Sequence, residues 1–225
     1  MKACPTVKNY KSILEKRWEK NMKIQLAIDR VTIERAKEIA KEAGPYIDIV
    51  EVGTSLIKDY GISSVRSIKE LFPSKTVLAD IKTIDEGAYE FNAAFSNGAD
   101  IATVMGASSV DTIRVCDEVT RKLKKSMMID LLEVDDKKIY WLKKFSDAIF
   151  CIHASSDGGM NSLTSLLREF KEKFPEIGSV AVAGGVNLRN ISDIKKADAD
   201  IVIIGGAITR SGSVRDSAKK FREMV

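Results

Sequence analysis

The chain has 225 residues, 44% hydrophobic and 30% charged, which is the balance of a globular protein with ample material for a core. Its 36 basic and 32 acidic residues leave a net charge of +4, too mild to point to nucleic acid or a membrane surface, and no basic run is interleaved with aromatics. No apolar run approaches membrane-spanning length and the first residues lack the apolar block of a signal peptide, so a cytoplasmic protein is expected.

Residues 1–22 come first and stand apart. Tyr10, Ile13, Leu14 and Trp18 follow a helical spacing, which predicts an amphipathic helix over 9–20. This extension is expected to pack beneath the main domain or against a partner subunit; a second reading takes Met22 as the true start. From residue 23 onward, short apolar runs alternate with longer amphipathic segments. Strands are predicted at 24–28, 47–52, 76–79, 101–104, 127–132, 148–152, 180–183 and 201–204. Helices are predicted at 31–43, 63–71, 86–97, 110–123, 137–145, 162–174, 188–196 and 213–224. The strands are nearly continuous in apolar residues, as strands covered on both faces must be. Eight such units in about 200 residues match a single (β/α)8 TIM barrel over 23–225, carrying the extra N-terminal helix. A doubly wound open sheet is the competing architecture, and eight near-equal repeats favour closure. Cys4, Cys116 and Cys151 lie far apart without metal-ligand spacing, which fits reduced thiols; Cys151 lies within an apolar run and suits core packing.

In a barrel of this kind the functional site lies at the C-terminal ends of the strands. The exits, in order, are Asp29, Glu51, Asp80 with Lys82, Thr103 to Gly106, Asp130, His153, Gly184-Gly185 and Gly205-Gly206. Asp80 and Lys82 are two apart, so in extended chain they face the same side. Glu51 ends an apolar run, where a carboxylate is costly unless paired or bound to a cation. With Asp80 one strand away, the two carboxylates are candidate ligands for Mg2+; a Glu51–Lys82 ion pair without metal is the alternative. His153, the single histidine, is placed for general acid/base work or as a structural hydrogen-bonder. Asp29 is an acid/base group, a hydroxyl anchor or a cap for the helix that follows, and Asp130 has similar alternatives. The two glycine pairs follow strands seven and eight, where backbone N–H groups commonly hold phosphate; tight turning also uses glycine.

With these residues placed, 23–225 resembles the orotidine 5′-phosphate decarboxylase superfamily. Asp80-x-Lys82-x-x-Asp85 matches its signature. Glu51 stands where the metal-free decarboxylases carry lysine, and so resembles the Mg2+-dependent branch of 3-hexulose-6-phosphate synthases and 3-keto-L-gulonate-6-phosphate decarboxylases. Thr103-Val104-Met105-Gly106, Gly184-Gly185-Val186 and Gly205-Gly206-Ala207-Ile208-Thr209 look like the synthases, as does aspartate at 130. Ser156 and Gly206 depart from the arginines of the keto-gulonate decarboxylases. The resemblance implies condensation of formaldehyde with D-ribulose 5-phosphate through an enediolate. It implies Glu51 and Asp80 on Mg2+, and His153 as base beside Lys82, Asp29 and Asp130. It implies phosphate on Gly184, Gly185, Gly205 and Gly206. It further implies a homodimer in which Asp85 enters the partner's site. Keto-gulonate phosphate decarboxylation is the alternative activity, and a catalytically silent phosphosugar-binding protein is the third reading.

Overall fold

Lys23–Ile28 (β1), Ile49–Val52 (β2), Thr76–Thr83 (β3), Ile101–Met105 (β4), Ser126–Asp130 (β5), Ile149–His153 (β6), Val180–Ala183 (β7) and Ile201–Ile204 (β8) form one parallel sheet. The structure is a computed structural model that describes residues 21–154 and 163–225. Each strand pairs with its neighbour in chain order, and β8 returns to β1 through Gln25 opposite Ile203, closing the barrel. The helix expected over 9–20 lies outside the described residues.

Ten α-helices stand among the described residues: Ile33–Ala43 (α1), Thr54–Tyr60 (α2), Ser63–Leu71 (α3), Gly87–Ser96 (α4), Val110–Leu123 (α5), Asp136–Leu142 (α6), Leu163–Lys173 (α7), Ile191–Lys196 (α8), Gly206–Thr209 (α9) and Val214–Met224 (α10). Several begin where a short polar side chain accepts from the third residue onward: Thr32 from the Arg35 N–H, Ser109 from Thr112, Asp135 from Lys138 and Ser213 from Asp216. Thr32, not Asp29, therefore caps α1. The α2 and α9 helices are additions to the predicted set. Both are short, and each buries a single residue, Leu56 or Ile208, too little apolar periodicity to read in advance.

Alternation along the strands separates two apolar layers. Ile24, Leu26, Phe91, Phe150 and Phe221 belong to the larger core between sheet and helices. Ile49, Leu78, Ile101, Met128, Ile149, Cys151 and Ile201 fill the lumen. Two residues further along five of the strands the inward position changes character. Ile49 gives way to Glu51, Leu78 to Asp80, Ile101 to Thr103, Met128 to Asp130 and Cys151 to His153. The same period of two that packs the floor aims polar groups into the mouth.

Candidate active site

A cavity of roughly 760 Å³ opens at the strand exits, and the residues reaching it include Asp29, Glu51, Asp80, Lys82, Asp130, His153 and all four glycines of the two pairs. The structure thus brings together ten of the eleven residues singled out in the sequence. Asp85 is the exception: it is exposed, and among the described residues its carboxylate accepts only the neighbouring Glu86 N–H.

The centre is a chain of charges. Lys82 Nζ lies 3.0 Å from Asp80 Oδ2 and 2.9 Å from Asp130 Oδ2. His153 Nδ1 lies 2.8 Å from the same Asp130 oxygen. Lys82 has a left-handed backbone, φ +48°, and the pairing register shifts between Ala79 and Thr83. Its N–H donates to Thr103 Oγ1 at 2.9 Å, which holds this conformation. Thr103 donates in turn to Asp80 Oδ1, and Thr54 donates to Asp80 Oδ2. Asp80 and Lys82 converge, as the spacing predicts, although the strand between them is irregular.

Burial by itself would push the Asp130 carboxyl up; the His153 hydrogen bond, the Lys82 ammonium and the Leu132 N–H hold it down at about 2. Burial likewise opposes the Lys82 charge, but Asp80 and Asp130 outweigh it and hold the ammonium above its ordinary range. Because Asp130 is ionised, it accepts, and Nδ1 of His153 carries the proton. In the neutral ring Nε2 then holds the lone pair, and it forms no hydrogen bond among the described residues.

Glu51 differs. It is buried, and burial together with the nearby Asp80 charge pushes its carboxyl up to about 8, opposed by the hydrogen bond from Gln25 Nε2 at 2.6 Å. It forms no ion pair among the described residues, because Lys82 is taken by Asp80 and Asp130. The Glu51–Lys82 pairing therefore does not form. No group of three acidic, histidine or cysteine side chains among the described residues is arranged as a metal cluster. The donor set is two carboxylates. Oxygen-only donors that leave positions for water and substrate suit a hard cation such as Mg2+.

Asp29 Oδ1 accepts from both the N–H and the hydroxyl of Ser55, at 3.1 and 2.8 Å. A side chain on Gly53 would overlap the Asp29 carboxylate, so glycine there is a condition of the arrangement. Gly184 has φ +94°, and a β-carbon on it would run into the Ala154 carbonyl; Gly185 has φ +67°. Gln25, Arg30, Thr54, Ser55, Lys58 and Arg210 also line the cavity and were not singled out in the sequence. Gln25 was legible as the one polar residue inside an apolar strand; the cations carry no such mark. Cys151 lies on the lumen floor, where burial drives its thiol well above the ordinary range and makes it inert packing. Ser156 lies outside the described residues.

The model of the orotidine 5′-phosphate decarboxylase / HUMPS family matches residues 22–221. The 3-hexulose-6-phosphate synthase of Bacillus subtilis (strain 168) is 36% identical over 217 residues, covering 91% of this chain and 99% of that protein. The synthase of Mycobacterium gastri is 32% identical, covering 91% and 100%. The crystal structure of the synthase from Salmonella typhimurium superposes with a TM-score of 0.85 at 31% identity, covering 90% of this chain and 98% of that one. The chain belongs to the orotidine 5′-phosphate decarboxylase / HUMPS family, and within it carries the likeness of the 3-hexulose-6-phosphate synthases.

Proposed function

We propose that this enzyme catalyses the reversible aldol condensation of formaldehyde with D-ribulose 5-phosphate to D-arabino-hex-3-ulose 6-phosphate. The observation that carries the reading is the contact of His153 Nδ1 with an ionised Asp130 that also holds Lys82. The reaction needs a base at C1 of a phosphoketose and positive charge where the enediolate forms. His153 Nε2 takes the C1 proton, and the imidazolium is stabilised by Asp130. The ammonium of Lys82 stabilises the enediolate oxygen. C1 then adds to the carbon of formaldehyde, and His153 returns the proton to the former aldehyde oxygen. Asp29, anchored by Ser55, orients a sugar hydroxyl through its second oxygen.

Glu51 and Asp80 would hold Mg2+, which supplies Lewis-acid stabilisation of oxyanion charge when bound. The backbone at Gly184, Gly185, Gly205 and Gly206 receives the phosphate, so binding energy remote from C1 fixes the geometry of attack. A homodimer with Asp85 directed to the partner's site is part of this reading. It is supported by Asp85 lying outside its own cavity, beside Ile84 at 57% and Tyr89 at 74% exposure. Free, buried Cys116 and Cys151 suit a reducing cytoplasm, and no helix among the described residues is long and apolar enough to cross a membrane.

The test is an assay of the purified protein with ribulose 5-phosphate and formaldehyde, alongside 3-keto-L-gulonate 6-phosphate. Hexulose phosphate formation supports the proposal. Release of CO2 from the keto-gulonate without condensation supports the decarboxylase, and turnover of neither leaves a binding protein.

A further inference from the structure

Three cations on the cavity wall have no side-chain partner among the described residues. Arg210, Arg30 and Lys58 line it, and none forms an ion pair or a side-chain hydrogen bond among the described residues. They follow β8, β1 and β2, three strands adjacent around the barrel. The acids of the mouth are engaged elsewhere: Asp29 with Ser55, Glu51 with Gln25, and Asp80 and Asp130 with Lys82 and His153. The proton-transfer groups gather at the exits of β3, β5 and β6, whereas Arg210 follows the glycine pair at the exit of β8, and Arg30 and Lys58 follow Asp29 and Glu51 at the exits of β1 and β2.

Arg210 is the best placed of the three. Its N–H donates to Gly206 O at 3.1 Å, and its guanidinium folds back over Gly206. A β-carbon built on Gly206 would overlap that guanidinium, so the absent side chain at 206 is what makes room for it. A guanidinium turned inward onto a glycine backbone, with no carboxylate among the described residues paired to it, is shaped for an anion with several acceptor oxygens. Arg30 has a left-handed backbone, φ +54°, held by its N–H to Ser55 Oγ at 2.7 Å, so a second cation is kept at the same rim.

We propose that Arg210 is a substrate-binding residue that grips the phosphate of the phosphoketose across Gly206, with Arg30 and Lys58 adding to the field. The inference rests on the proposed reaction for its substrate, but its chemistry, a guanidinium on a phosphoryl group, is testable without turnover.

Arg210 is exposed at the end of a short helix, so Arg210→Ala leaves the fold intact. The variant is expected to raise KM for ribulose 5-phosphate, and the inhibition constant of inorganic phosphate, by about ten- to a hundredfold, the loss of a charge-assisted contact. kcat should change little, and kcat/KM for unphosphorylated ribulose should not change. Arg210→Lys should recover part of the loss. Unchanged KM and inhibition constant would overturn the proposal, and so would an equal loss with ribulose, which would mark a structural role. If the wild-type enzyme turns over neither sugar, the reaction is wrong, and calorimetric titration of inorganic phosphate into wild type and Arg210→Ala still decides the site. Weaker binding by the variant supports it; equal binding, or none by wild type, overturns it.

Discussion

The Asp130 carboxylate and the His153 ring meet at 2.8 Å through Oδ2 and Nδ1, and the same oxygen lies 2.9 Å from Lys82 Nζ. One carboxylate oxygen thus fixes the tautomer of the imidazole and the position of the ammonium. Asp130→Asn keeps the shape but loses the charge that holds Nδ1 protonated. It should lower kcat by about a hundredfold or more in the condensation assay, the range that general acid–base catalysis supplies. The same residue sets a pH dependence. Its carboxyl is held at about 2 against an ordinary 3.8, a depressed value, so its stabilisation is present above the unfolded value and lost as pH falls through the folded one. That amounts to about 2 kcal/mol. Acid unfolding of wild type should steepen between pH 4 and 2, and the asparagine variant should lose that part of the slope.

Glu51 runs the other way. Its raised value, about 8 against an ordinary 4.5, means the metal-free protein is most stable below the unfolded value and loses stability as pH rises to the folded one. A divalent cation binds the ionised form. Mg2+ should therefore raise the melting temperature more at pH 8 than at pH 5.5 by differential scanning fluorimetry, and EDTA should abolish both that shift and the activity. No Mg2+ effect on melting at pH 8 would contradict Glu51 and Asp80 as the ligands.

Gly184 and Gly185 both have positive φ, but only Gly184 faces backbone at once, in the Ala154 carbonyl. Gly184→Ala should cost about 2 kcal/mol or more, and Gly185→Ala, which meets nothing within 4 Å, about 1 kcal/mol. Thermal melts of the two variants compare them directly.

Asp85 gives a test across subunits. His153→Ala and Asp85→Ala should each be nearly inactive alone. Mixed and refolded in equal amounts they should regain about a quarter of wild-type activity, because half the chains form mixed dimers with one intact site. No recovery would place Asp85 outside the partner's site.

The barrel and its inward charges were legible because one periodicity, two residues per repeat, governs both the lumen and the mouth. Once Leu78 is buried inside, Asp80 must point the same way, and the same holds for Ile49 with Glu51 and Met128 with Asp130. Asp29 is a cap candidate from the sequence, but Thr32, the residue immediately before the helix, takes that place and leaves Asp29 to Ser55. What periodicity could not supply is which loop residues the closed ring brings together. Thr54, Ser55 and Arg210 reach the site because neighbouring strands bring their loops together, and nothing local to those residues marks it. The irregular turn at Lys82 was hidden for a related reason: its left-handed backbone is held by Thr103 from the next strand.

Proton exchange at C1 of ribulose 5-phosphate in D2O, followed by NMR with Mg2+ present and formaldehyde absent, isolates the step assigned to His153. Wild type should exchange the proton, while His153→Ala should bind the sugar phosphate with near-normal affinity and exchange none. Exchange retained in His153→Ala would contradict the assignment of the base on which the proposed reaction rests.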